Sequence, residues 1–384
     1  ENFDRALKNV VRTQGRGGGM AQGFPARALA FGRKLRNIQR LVQSELRSPM
    51  RAPLGRRLWA YRHGFLTESA VRFGLAPENV HLYVSDVARY VRSASINGPF
   101  AFALNNKIVF SRMVASYGVD VPSYHALIER GKLRPIGTDW ELREAGDVVE
   151  ACRKGANFIM KPGSGGRGCS VAAVTTRDGQ LHINHRPAEL SALETLLSCY
   201  GNGVVCDLIR QHEYAERIFP EATNSLRVQT MWDIDRNEPF ICYAGHRFGS
   251  STSVPTDNFA RGGVMALVDI ETGELGPAHS GHGSDEEAWY DRHPDTGARI
   301  EGVRVAGWRS MKDRLLELCR QMSYVPYVGW DVVVTDDGFV VLEGNSYADL
   351  VFQFFFPLLE DERVRRFYEH YGVIAPAAER ESGR

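Results

Sequence analysis

The sequence predicts an α+β protein of two or three lobes, with a basic helical extension on its N-terminal side. Three observations predict it. Residues 329–345, GWDVVVTDDGFVVLEGN, read as two apolar strands around an Asp-Asp-Gly turn. Residues 158–175, FIMKPGSGGRGCSVAAVT, read as two more strands joined by a glycine-rich loop. Trp308, Met311, Leu315, Leu318 and Met322 recur at helical spacing, the core face of an amphipathic helix near 308–322.

The chain has 384 residues, 43% hydrophobic and 24% charged, enough for a sizeable core. Its net charge of +1 argues against a dedicated nucleic-acid binder. Six scattered cysteines form no C-x-x-C pair, so they suggest neither a zinc site nor a redox motif. They read as reduced core residues of a cytoplasmic protein. No apolar run is long enough to span a bilayer.

Taken in order, residues 1–25 read as a disordered extension, with Gly17-Gly18-Gly19 ahead of Met20. Residues 26–62 carry Arg27, Arg33, Lys34, Arg36, Arg40, Arg47, Arg51, Arg56, Arg57 and Arg62 against Glu45 alone. Leu35, Ile38, Leu41, Val42 and Leu46 give that stretch a helical period. Such a helix suits peripheral contact with an anionic membrane or acceptor; the plainer alternative is a packed helix with solvated arginines. Residues 26–100 thus form a helical to mixed region. Asn105-Asn106-Lys107 opens a helix through about Tyr117, closed by Gly118. Residues 151–260 read as short strands with turns, and 276–299 as a polar loop. After the hairpin comes a closing helix, then a disordered tail over 376–384.

The chemistry concentrates in few places. A three-residue loop, Asp336-Asp337-Gly338 with Gly left-handed, sets Asp331 opposite Glu343 and turns Asn345 to the face of Glu343. Two carboxylates and an amide oxygen suit a hard divalent cation completed by substrate phosphates. Solvated surface acids are the alternative, but unpaired carboxylates inside apolar runs are costly. Gly163, Gly165 and Gly168 spell G-x-G-x-x-G, yet a strand follows where a dinucleotide site needs a helix. The loop reads instead as a flap, Gly163, Ser164, Gly165, Gly166 and Gly168, whose backbone N–H groups can close over phosphates. Lys161 would aim a cation at them; a mobile hairpin tip with a snorkelling lysine is the alternative. Arg227 lies in an apolar strand, and Asn258 and Arg261 flank the pair Gly262-Gly263. Arginine suits carboxylate or phosphate oxygens, and equally a structural ion pair.

Lys107, Lys161 with its flap, the Arg227 strand, Asn258-x-x-Arg261-Gly262-Gly263 and Asp331…Glu343-x-Asn345 resemble, in this order, the ATP-grasp superfamily. The nearest branch is sugar-transfer associated ATP-grasp, related to alpha-L-glutamate ligases. The resemblance covers about 100–355 and implies an ATP-grasp fold, two α+β lobes clamping ATP. Lobe 1, with the flap, would span 101–200, and lobe 2, with the metal site, 201–375. It implies Lys107 and Lys161 on the phosphates and Asp207 at the nucleotide. Asp331, Glu343 and Asn345 would hold Mg²⁺ or Mn²⁺, with Arg227 and Arg261 facing the γ-phosphate and substrate carboxylate. The implied activity is a ligase joining small-molecule carboxylate and amine substrates, amino-acid or glycan related, through an acyl phosphate. A kinase acting on a sugar or polyol hydroxyl and a non-catalytic nucleotide-binding adaptor are the alternatives. The family pattern often has Asp where this chain has Asn106. His212 and His246 are the general-base candidates, no better than core or surface histidines.

Overall fold

The structure, a computed structural model, describes residues 38–39, 41–48, 50–137, 139–163, 171–280, 288–347 and 350–376. It divides into two compact units, one of Glu1–Ala94 with Leu350–Arg384, the other of Ser95–Asp349. The extension expected over 1–25 and the tail from 377 lie outside the described residues.

In the first unit the expected long helix is interrupted. Residues 41–47 are helical, and a second helix, Leu54–Arg62, begins after Pro53. Proline lacks an N–H and drives the residue before it out of helical conformation, which explains the break. Ala60, Phe65, Ala70 and Leu75 make a small core with Trp59 and Phe73. The Gln353 side chain accepts from the Val84 N–H at 2.7 Å and donates to its C=O at 3.0 Å, so the C-terminal stretch is pinned to the N-terminal one. The closing helix, Glu362–His370, buries Val364, Phe367 and Tyr368.

The second unit contains two antiparallel sheets. The first comprises β1 (Tyr124–Glu129), β2 (Lys132–Pro135), β3 (Phe158–Pro162), β4 (Ala172–Arg177), β5 (Gln180–Ile183), β6 (Arg186–Pro187) and β7 (Asn202–Asp207), in the order β2-β1-β7-β3-β4-β5-β6. The second comprises β8 (Leu226–Asp233), β9 (Glu238–Phe248), β10 (Val264–Val268), β11 (Leu275–Ser280), β12 (Trp289–Tyr290), β13 (Val328–Thr335) and β14 (Gly338–Asn345), in the order β12-β11-β10-β9-β8-β13-β14. β7 thus carries the first sheet to Asp207, and the stretch from Leu350 groups with the N-terminal residues. The sequence sets those limits at 200 and 375. The polar loop expected over 276–299 instead forms β11 and β12 in part, because Leu275, Ala278 and His279 are buried.

Helices cover these sheets. α1 (Ala101–Asn105), α2 (Lys107–Ala115) and α6 (Trp308–Gln321) bury Leu104, Phe110, Val114, Met311, Leu315 and Leu318 in the core of the second sheet. α3 (Ala145–Arg153) and α4 (Leu190–Ser198) bury Val148, Cys152, Leu193 and Leu197 in the core of the first. A short α5 (Glu213–Ile218) precedes β8. α4 and α5 lie where the sequence reads as strands with turns. In α4 the buried Leu193 and Leu197 stand four residues apart, the helical period.

Candidate functional site

The β13–β14 hairpin brings Asp331 opposite Glu343, the pairing the sequence predicts, and sets Asn345 opposite Gly329. It does so by a different route. The turn has two residues rather than three: Thr335 pairs with Gly338, which keeps a positive φ of 142°, a value that favours glycine. The register then slips by one between Asp331 and Val332, leaving Leu342 as the extra residue of a bulge. The slip changes which face the odd-numbered residues of β14 take. Phe339 and Val341 pack into the core with Val332 and Val334, and Gly344 then takes the core side opposite Trp330. Strict alternation would send Glu343 into that core.

Lys107 reaches the hairpin because α2 starts and packs at fixed points. Asn106 caps the helix, its Oδ1 accepting the Val109 N–H at 3.1 Å. Asn106 therefore has a structural role where the family pattern carries Asp. One turn on, the buried Phe110 lies over Gly344. A Cβ there would stand 3.0 Å from the ring Cζ and 3.2 Å from Leu104 Cδ2, closer still to Cε2. Only glycine between Glu343 and Asn345 permits this approach. Lys107 Nζ then donates to Glu343 Oε2 as an ion pair. Burial raises the proton affinity of Glu343, but the charges of Lys107, Lys161 and Arg227 overcome it and hold the carboxyl well below its usual range.

Asp331 is held by two arginines. Arg227, opposite it on β8, donates from Nε at 2.6 Å and Nη2 at 3.3 Å, and Arg247 of β9 contributes Nη2 at 3.2 Å. Arg247 also pairs with Asp257 at 3.5 Å and donates to Ser225 Oγ at 2.6 Å. Asp257 accepts the Ser225 N–H at 2.8 Å and its hydroxyl as well. Sequence reasoning missed Arg247 and Asp257. The signal for Arg247 was the one that singled out Arg227: a lone arginine in an apolar strand.

Asp257 leads into the turn that carries Asn258 and Arg261. Asn258 Oδ1 accepts the Ala260 N–H at 3.0 Å, so this side chain orients the loop. Gly262 closes the turn at φ 99°, a left-handed value that favours glycine. The Arg261 side chain is exposed, and its carbonyl accepts from Thr252 Oγ1 at 3.2 Å.

From the first sheet, Lys161 of β3 sets its ammonium 5.6 Å from the Tyr124 ring centroid. The buried Tyr124 hydroxyl has no hydrogen-bond partner among the described residues. Gly163 donates its N–H to Asn202 O at 3.3 Å, while Ser164, Gly165, Gly166 and Gly168 lie outside the described residues. Asp207 accepts from His125 Nε2 at 2.7 Å and from the Ser123 N–H at 2.9 Å, which holds its carboxyl low despite partial burial. His125 is another residue the sequence did not single out. Of the two base candidates, His246 is buried against Tyr214 Oη at 2.8 Å, and burial pushes its pKa down to about 3. His212 Nδ1 accepts the Tyr214 N–H at the start of α5.

The donor set fits a hard cation. Glu343 is ionised with Oε1 beside the bonded Oε2. Asn345 Nδ2 donates to Gly329 O at 3.3 Å, which leaves its amide oxygen as an acceptor. Asp331 shares its oxygens with two guanidinium groups. No trio of His, Cys, Asp or Glu among the described residues is placed to hold a metal by itself.

Residues 88–356 match the family model described as sugar-transfer associated ATP-grasp. Among curated proteins nothing matches the chain. Solved structures similar to it include the ATP-grasp ligase PsnB complexed with minimal precursor. That likeness has 16% identity, covers 67% of this chain and 56% of that one, and has a TM-score of 0.33. The macrocyclase MdnC from Microcystis aeruginosa MRC has 12% identity, coverage of 71% and 60%, and a TM-score of 0.35. The VanG D-Ala:D-Ser ligase from Enterococcus faecalis has 13% identity, coverage of 72% and 63%, and a TM-score of 0.35. The chain thus spans less than two thirds of the length of each of these three.

Proposed function

The chain belongs to the sugar-transfer associated ATP-grasp family, and we propose that it is an ATP-dependent carboxylate–amine ligase. The observation that carries this reading is the Lys107–Glu343 ion pair directly opposite Asp331, which Arg227 and Arg247 hold. Cations gathered around two acids, Lys107 on Glu343 and Arg227 and Arg247 on Asp331, suit a triphosphate that arrives with a divalent ion. Mg²⁺ or Mn²⁺, held by Glu343, Asn345 and Asp331, would neutralise charge on the phosphates.

In this reading Lys107 leaves Glu343 for the nucleotide, and Lys161 approaches from β3. A substrate carboxylate oxygen attacks the γ-phosphorus, the bond to the β-phosphate oxygen breaks, and ADP departs. The resulting acyl phosphate is attacked by an amine nitrogen; the acyl carbon–oxygen bond breaks, phosphate leaves and the amine proton passes to solvent. Repulsion between the carboxylate and the triphosphate is the main obstacle, and Arg227, Lys161 and Arg261 offset it. Asp207, oriented by His125, contributes to holding the nucleotide. The glycine-rich flap would exclude water from the acyl phosphate. The substrates in this reading are small acids and amines of amino-acid or glycan chemistry.

The test combines ATP, Mg²⁺, pooled amino-acid and sugar carboxylates, and hydroxylamine. Hydroxylamine traps an acyl phosphate as a hydroxamate, seen by mass spectrometry beside ADP. A hydroxamate supports the ligase. A stable phosphoester with ADP would make the protein a kinase, and AMP as product would overturn the acyl-phosphate route.

A further inference from the structure

In the first unit, two helices present apolar side chains to solvent. On residues 38–39 and 41–47, Ile38, Val42 and Leu46 stand four apart in sequence and are 47%, 54% and 79% exposed. The inward side of that helix carries the buried Leu41 and also Glu45, which accepts from the Thr67 N–H at 2.9 Å. On Leu54–Arg62, Leu54, Leu58 and Tyr61 follow i, i+4, i+7 spacing and are 68%, 57% and 38% exposed. The Tyr61 hydroxyl donates to Glu45 Oε1 at 2.6 Å, which ties the two helices to each other.

The charge around this surface has one sign. Arg47, Arg51, Arg56 and Arg62 are exposed on the same segments, and Glu45, the only acid between 26 and 62, is turned inward. Exposed leucines in such number are costly in water unless something covers them. Arginines beside an apolar stripe match the layered chemistry of an anionic bilayer surface, phosphates outside and acyl chains beneath. No helix among the described residues is long and apolar enough to cross a membrane, so the contact would be peripheral.

We propose that the Ile38–Arg62 surface docks on an anionic lipid bilayer, with Leu46, Leu54 and Leu58 entering the interface and the arginines on the headgroups. The proposal stands apart from the ligase reading.

The test is co-sedimentation of the full chain with phosphatidylcholine vesicles, with and without about a third phosphatidylglycerol. Binding to the anionic vesicles, weakening as salt rises, is expected, and little to phosphatidylcholine alone. Each Arg56→Gln or Arg62→Gln change should weaken binding about fivefold. Leu46→Glu with Leu58→Glu should weaken it more than tenfold, while nucleotide binding is unchanged. Failure of the wild type to bind anionic vesicles would overturn the proposal. So would binding indifferent to the leucine changes, as a purely ionic polyanion contact would be. A wild-type dimer that the same leucine changes convert to monomer would assign the surface to self-association instead.

Discussion

Lys107 is bonded to Glu343 across 236 residues of sequence, helix start to strand end. The lysine stands beside the carboxylate that a metal ion would need. Whatever draws Lys107 away therefore frees Glu343, and in the proposed reading that is the nucleotide.

Removing the lysine should expose that link. Lys107→Met is expected to strengthen Mn²⁺ binding by nucleotide-free protein about tenfold, through loss of a competing cation. Free Mn²⁺ measured by electron paramagnetic resonance checks it; unchanged affinity would place the metal elsewhere.

Glu343→Ala should lower ATP turnover about 10²–10³-fold while the fold persists. Circular dichroism and ADP release test the two halves. Full turnover at saturating Mg²⁺ would refute the metal role.

Glu343 also carries a pH signature. Its pKa is depressed in the folded protein, so its contribution to stability is complete above the ordinary value of 4.5. That contribution is lost as pH falls below 4.5 through the depressed value. The wild type minus Glu343→Gln difference in unfolding free energy should therefore be level near neutrality and decline on acidification. A difference that grows on acidification would contradict the charge assignment.

Arg247 neutralises two buried acids, so Arg247→Met should destabilise by about 3 kcal/mol in urea unfolding. Paired with Asp257→Asn, the loss should be smaller than the sum of the single changes, because Asp257 is the carboxylate stranded when Arg247 goes, while Asp331 keeps Arg227.

Gly344→Ala should cost about 1–3 kcal/mol by driving a methyl into Phe110. Phe110→Leu in the same chain should recover part of it. Thermal melts of the four-member cycle give the coupling.

Much of this site was legible in the sequence. The acids of the hairpin, Lys161 and Arg227 stood out because charges inside apolar runs are conspicuous in one dimension, whereas Lys107 stood out only through the family order of motifs. Arg247 carried the same signal and was passed over, and Asp257 was missed because its meaning comes from Arg247 and Ser225, which strand pairing brings to it. The bulge at Leu342 escaped because nothing local marks it; a three-residue loop gives the same Asp331–Glu343 pairing. The helix at 190–198 carried its period in its leucines, yet neighbouring strand-like runs masked it.

The bulge divides the β13–β14 hairpin into two jurisdictions. From Gly338 to Val341 the chain answers to packing, and exchange of one aliphatic residue for another should pass unnoticed by chemistry. From Leu342 to Asn345 it answers to phase: gain or loss of a residue beyond the bulge would point acid and amide at the core and glycine at the ligands. Homologous chains should accordingly drift freely in the first half and hold constant length in the second.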